Sequence, residues 1–185
     1  MTALPPPPDG HDHPRPDTTI FWAVFDPARE LIPPDWTIND RPLRRLIAAR
    51  DEACKGCETM VSRWWAAHGD PHLVVLVAGL LVLDMAEVCA WVPPSALSSR
   101  ELAAELLRLS YGRSCMVVLE PLLEGDPEAA AAAYAALEPG ARLAVLESVL
   151  HGLWNPPRIP LQPEASWSVR PTVGWERPVS GATES

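Results

Sequence analysis

Four cysteines are the first residues in this sequence whose chemistry could serve a function. Cys54 and Cys57 form a Cys-x-x-Cys pair, whereas Cys89 and Cys115 lie far from it and from each other in the chain. Two thiolates three residues apart on a helix project to similar faces, so the pair could share a metal ion or act as a redox couple. Together the four sulfurs would suit zinc or an iron–sulfur cluster.

The alternative is that the cysteines are small core residues, as buried unpaired cysteines often are. Structural zinc sites usually have two closely spaced ligand pairs, and here only Cys54 and Cys57 are closely spaced. The Cys-x-x-Cys pair also falls well inside a predicted helix, away from the N-terminal dipole that lowers thiol pKa values. No βαβ pattern surrounds the pair, so the sequence gives no support for a thioredoxin-like redox site. The sequence therefore favours a structural role for the four cysteines, with a metal site or a redox pair as the alternatives.

A second candidate metal set consists of acidic residues and a histidine on apolar helices: Asp84, Glu87, Glu147 and His151. Carboxylates and histidines that face the interior of a helical bundle build di-iron sites. Those sites use Glu-x-x-His on two helices, a motif that this sequence lacks. Because an unpaired buried acid is costly, Asp84 and Glu87 are expected instead at an exposed helix end beside arginines, or in a polar contact between subunits.

The tryptophans point to contact surfaces. There are eight of them against two tyrosines and two phenylalanines, and half lie in proline-rich sequence near the two ends. Tryptophan is enriched at interfaces, where it acts as a rigid anchor. Residues 18–26 are β-branched and aromatic, and they predict an extended segment that packs on its own chain or on a partner. The predicted partner-binding residues are Ile20, Trp22, Val24, Trp36, Trp167 and Trp175.

Proline frequency divides the chain into the elements that must position these residues. Residues 1–42 and 154–185 hold 16 of the 22 prolines, and the 111 residues between them hold six. Since proline excludes long helices and central strands, we predict an N-terminal arm at 1–39, a folded domain at 40–154 and a C-terminal tail at 155–185. The tail is expected to be mostly extended or disordered. Residues 1–17, which include His11 and His13, are expected to be disordered.

The folded domain is predicted to be an all-α bundle of about five helices. Periodic apolar residues and caps place them at about 41–67, 71–92, 99–123, 127–137 and 141–154. Ser98 and Glu101 form a capping-box signature at the start of the third helix. The second helix carries an unbroken apolar run at 73–83, which is too short to span a membrane and predicts a central helix buried on all sides.

Charge and motifs exclude several functions. The 24 acidic and 15 basic residues give a formal charge of −9, which disfavours binding to nucleic acid or to anionic membranes. The chain lacks a phosphate-binding glycine loop, a nucleophile elbow and a His-Glu-x-x-His motif. The N-terminus lacks the features of a secretory signal, so a cytoplasmic location is expected.

The expected function is therefore that of a small non-catalytic interaction or accessory protein. It would contact another protein, or a second copy of itself, through its arms and an apolar helical groove. The alternative is a metal-binding helical protein or metalloenzyme, which would use zinc or iron at the four cysteines or at the acidic residues with His151.

Overall fold

The computed structural model describes residues 6, 11 and 13 and the ranges 25–90 and 98–155, with the backbone alone at 86–88, 90, 99 and 100. These residues form helices, turns and irregular segments, and none of them lies in a strand. The all-α prediction is therefore confirmed for the described part of the chain. The predicted tail at 155–185, apart from Asn155, lies outside it.

Residues 25–29 form a short helix, α1. The longer helices are α2 (Arg41–Asp51), α3 (Lys55–His68), α4 (Pro71–Ala90), α5 (Ser99–Tyr111), α6 (Met116–Leu123), α7 (Pro127–Ala136) and α8 (Pro139–Trp154). A 3-10 turn at Arg113–Cys115 joins α5 to α6.

Two of the five predicted helices are each divided, which accounts for most of the difference in number. The first is interrupted between α2 and α3, where Ala53 takes a left-handed conformation with φ 51° and the Cys54 amide donates to the Ala49 carbonyl at 2.7 Å. The third ends at Gly112, whose φ of 77° terminates α5. At Ala53 the left-handed residue closes α2 by turning its last carbonyls back onto the amides of Ala53 and Cys54. Ala53 carries no such signal in the sequence, since glycine usually occupies this position.

The starts of α5 and α7 agree with the prediction, and in both a side chain caps the helix. The Glu101 amide donates to Ser98 Oγ at 3.3 Å, and the Ser98 amide donates to a Glu101 carboxylate oxygen at 2.8 Å. This reciprocal pair is the predicted capping box. In the same way, Asp126 accepts from the Ala129 amide at 2.8 Å and begins α7.

The core surrounds α4, as its apolar run predicts. All residues from Leu73 to Val82 are buried, and the helix packs against α5, α6, α7 and α8. No single helix among the described residues is long and apolar enough to cross a membrane. Helix α3 and the first part of α4 reach that length and apolarity only when joined, and they meet at a bend of 114°.

The core also extends before the predicted domain boundary at residue 40. Phe25, Ala28, Ile32 and Trp36 are all buried in it. Their spacing of three and four residues is a helical pattern, and residues 25 and 26 are helical where an extended segment is predicted. The rest of that segment, residues 18–24, lies outside the described residues.

Candidate metal centre

Two histidines and two cysteines meet at the start of α3. His11, His13, Cys54 and Cys57 each offer one ligand atom, and these four atoms all lie within 4.8 Å of one another. Cys57 is buried, and the other three side chains are partly buried. The group therefore combines a His-x-His pair from the N-terminal arm with the Cys-x-x-Cys pair of the helical domain.

The turn between α2 and α3 determines where the cysteines lie. Because α2 ends at Asp51 and Ala53 reverses the chain, Cys54 is the N-cap residue of α3 and Cys57 lies in its first turn. The sequence placed this pair in the interior of one long helix, and the structure corrects that expectation. At a helix start, the unpaired backbone amides and the helix dipole favour a thiolate.

The distances around His11 fit a tetrahedral ion. His11 Nδ1 lies 3.1 Å from Cys54 Sγ and 3.5 Å from Cys57 Sγ. Zinc–sulfur and zinc–nitrogen bonds of about 2.3 and 2.0–2.1 Å, set at the tetrahedral angle, separate a sulfur and a nitrogen ligand by about 3.5 Å. The His11 nitrogen therefore already lies at close to the spacing from both sulfurs that one bound ion requires.

His13 contributes a nitrogen that gains from such an ion. Its Nε2 atom is removed from solvent and has no hydrogen-bond partner among the described residues. The rings of His11 and His13 meet edge to face, with centroids 6.1 Å apart and an interplanar angle of 88°. A buried ring nitrogen without a partner is costly, and coordination of a metal would satisfy it.

The two thiols differ in ionisation. The approach of the Cys57 backbone amide, followed by the hydrogen bond with His11, lowers the pKa of Cys54 from 9.0 to about 6. Burial raises the pKa of Cys57, with the nearby Cys54 thiol acting in the same direction and the charge of Arg45 opposing it. Without a metal the thiolate is therefore favoured at Cys54, whereas a cation would favour ionisation of Cys57.

The structure does not bring Cys89 and Cys115 to this group. Both are buried, and burial raises the pKa of each, that of Cys115 to about 11. The Cys115 thiol donates to the backbone carbonyls of Tyr111 and Gly112 at 3.2 and 3.1 Å. These two cysteines lie in the core, the role that the sequence favours for all four.

The acidic candidates do not assemble with a third ligand in the described part of the chain. Asp84 and Glu147 are exposed, and so is His151, while the Glu87 side chain lies outside the described residues. Glu147 and His151 line a depression of about 290 Å³ between α3 and α8. Arg50 and Trp154 line the same depression, and the Arg50 guanidinium lies 4.2 Å from the centre of the Trp154 ring.

Of the predicted partner-binding residues, Trp36 is the one that the structure describes. It is buried, stacks on His72 at 3.9 Å between ring centroids, and its Nε1 donates to Glu128 at 3.4 Å. It packs within its own chain. Ile20, Trp22, Val24, Trp167 and Trp175 lie outside the described residues.

Sequence analysis missed His11 and His13, because proline-rich surroundings assign them to a disordered arm. The available signal was the His-x-His spacing beside a Cys-x-x-Cys pair elsewhere in the chain, which together make a two-plus-two ligand set. Comparison of the chain with known protein families, with curated proteins and with solved structures finds no match.

Proposed function

We propose that this chain is a zinc-binding helical protein whose ligands are His11, His13, Cys54 and Cys57. The observation that carries the proposal is the approach of all four ligand atoms to within 4.8 Å of one another. Two segments more than forty residues apart supply them, so their meeting is not a consequence of local sequence. The metal-binding alternative thereby gains a ligand set different from both sets predicted from the sequence.

The donor set selects zinc. Two sulfurs and two imidazole nitrogens in a tetrahedron are typical of zinc, and two thiolates neutralise its charge. A Rieske iron–sulfur cluster uses the same four residue types, but its histidines and cysteines bind different iron atoms. The His11 nitrogen lies too close to both sulfurs for that arrangement, at 3.1 and 3.5 Å. One ion shared by all four donors fits these distances.

Four protein ligands make the role of the zinc structural. Catalytic zinc sites keep an open position for water or substrate, whereas structural sites are filled by protein. The ion would join the N-terminal arm to the start of α3 and so connect it to the helical domain. In this proposal the protein remains a non-catalytic accessory protein, and its zinc holds two of its parts together.

The test is the metal content of the full chain, purified without chelator and measured by native and elemental mass spectrometry. We expect one zinc per chain. Cys54→Ser combined with Cys57→Ser should remove it, and His11→Ala combined with His13→Ala should reduce affinity by at least a hundredfold, because two of four ligands are lost.

Matched controls separate ligand loss from general effects of these substitutions. His68→Ala with His151→Ala replaces two exposed histidines, and Cys89→Ala with Cys115→Ala replaces the two core cysteines. Both double variants should keep one zinc. A wild-type chain that neither carries zinc nor takes it up on titration would overturn the proposal, as would equal loss in the ligand variants and their controls.

A further inference from the structure

Cys54 and Cys57 have a second chemistry available, which rests on the proposed zinc site. We propose that this pair is a redox modification site, at which a low-molecular-weight disulfide oxidises both thiolates to an intramolecular disulfide and releases the zinc. The ligand set is thus also the place where the attachment of the N-terminal arm is regulated.

The backbone brings the two sulfurs within reach of a disulfide bond. The Cα separation of Cys54 and Cys57 depends on the backbone angles of residues 55 and 56, which lie in the first turn of α3. Helical geometry gives about 5 Å for this separation. Disulfides span Cα distances of about 4.4–6.8 Å. Oxidation therefore requires the two side chains to rotate but no movement of the helix.

The different exposure of the two thiols determines which of them reacts first with the small disulfide. Cys54 is partly exposed at the helix start, whereas Cys57 is fully buried behind it. An external reagent therefore reaches Cys54, and Cys57 can react only with its neighbour. Cys89 and Cys115 are buried at other places in the fold, so the same reagent does not reach them.

The reaction balances in two exchange steps. The Cys54 thiolate attacks one sulfur of the small disulfide; a mixed disulfide forms, the reagent's S–S bond breaks and one small thiolate leaves. The Cys57 thiolate then attacks Cys54 Sγ, which forms the Cys54–Cys57 bond and expels the second small thiolate. The protein loses two electrons, the reagent gains them, and the zinc departs as a divalent cation.

Loss of both thiolates removes every ligand that the helical domain supplies. The two remaining ligands, His11 and His13, are both on the arm, and two neutral imidazoles hold zinc far more weakly than the full set. Oxidation would therefore disconnect the arm from α3. A dithiol reductant with added zinc would restore the connection.

The test treats the zinc-loaded full chain with oxidised glutathione. Released zinc is followed with a chromogenic chelator, and remaining thiols are counted by alkylation and mass spectrometry. We expect one zinc to be released for each pair of thiols lost. The zinc-free product should be lighter than the reduced zinc-free chain by two hydrogens, and it should contain a peptide with a Cys54–Cys57 disulfide. In Cys57→Ser the second step is blocked, so a mixed disulfide with glutathione should accumulate at Cys54.

The controls distinguish this inference from the zinc proposal. The Cys89→Ala, Cys115→Ala double variant should release zinc like the wild type. A chain that holds one zinc but keeps it and both thiols in excess oxidised glutathione overturns the redox inference and leaves the zinc proposal intact. Zinc release with oxidation at Cys89 or Cys115 also overturns it. A chain that never binds zinc fails the earlier test instead.

Discussion

Cys54 and Cys57 are three residues apart and have opposite shifts of pKa, which shows how strongly position at a helix start matters. Cys54 lies at the N-cap, where the Cys57 amide and His11 reach its sulfur, and its pKa falls to about 6. Cys57 is one turn further into the protein, where burial raises its pKa. The sequence identifies the pair but cannot assign these different roles, because they depend on where the helix begins.

This difference predicts the pH dependence of thiol alkylation in the zinc-free protein. Cys54 should react with iodoacetamide at a rate that is half-maximal near pH 6, because the thiolate is the reacting form. Cys57, Cys89 and Cys115 should stay unreacted at pH 7. Peptide mass spectrometry after timed alkylation measures each site, and a half-maximal rate for Cys54 near pH 9 would contradict the prediction.

The same shift affects stability with a definite sign. The pKa of Cys54 is lower in the folded state than its ordinary value of 9.0, so ionisation favours folding. This contribution is fully present above about pH 9 and is lost as the pH falls through about 6. Cys54→Ser should therefore flatten this part of the pH profile of zinc-free unfolding.

At the scale of elements, the break between α2 and α3 places the Cys-x-x-Cys pair at the start of a helix, where it can meet His11 and His13. The apolar stripe runs through the break with helical spacing, so periodicity alone predicts one helix over 41–67. What interrupts it is the left-handed alanine, Ala53, together with the Cys54–Ala49 backbone hydrogen bond. The capping box at Ser98 is predicted correctly because its side chains signal it directly. Helix ends made by the backbone alone leave no such signal.

The strained alanine gives a prediction about stability. Ala53→Gly should raise the free energy of unfolding by about 1 kcal/mol, since relief of the left-handed strain exceeds the entropy cost of glycine. The melting temperature should rise by about 2–4 °C, and zinc content should not change.

The matched control is the same substitution in a regular helix. Ala144 is exposed in the middle of α8, where glycine should lower stability by about 0.5–1 kcal/mol. Thermal unfolding followed by circular dichroism compares the two. If Ala53→Gly destabilises as much as Ala144→Gly, residue 53 does not carry the strain that the backbone indicates.

At the scale of the whole molecule, the candidate site joins two segments that composition assigns to different parts. The helical class and the central position of α4 follow from hydrophobic periodicity, which is local information. The meeting of His11 and His13 with Cys54 and Cys57 is a long-range contact across more than forty residues. Nothing local encodes it, and the surrounding prolines argue against order. The part of the site on the helix was therefore predictable as a pair, and its other half was not.

Two truncations test whether the arm completes the site. Deletion of residues 1–10 removes no ligand, whereas deletion of residues 1–14 removes only four more residues, two of which are His11 and His13. The shorter deletion should keep one zinc per chain, and the longer one should lose it.

The same two deletions predict a difference in thermal stability. At zinc a thousandfold above its Kd, binding adds about 4 kcal/mol to the free energy of unfolding, or about 8–16 °C in melting temperature for a chain of this size. The longer deletion should lose this increment, and so should the wild type in a strong chelator. Because the two effects have one cause, the chelator should not lower the melting temperature of the longer deletion any further. A longer deletion that keeps its zinc, or that still responds to the chelator, would show that the metal is held without the arm.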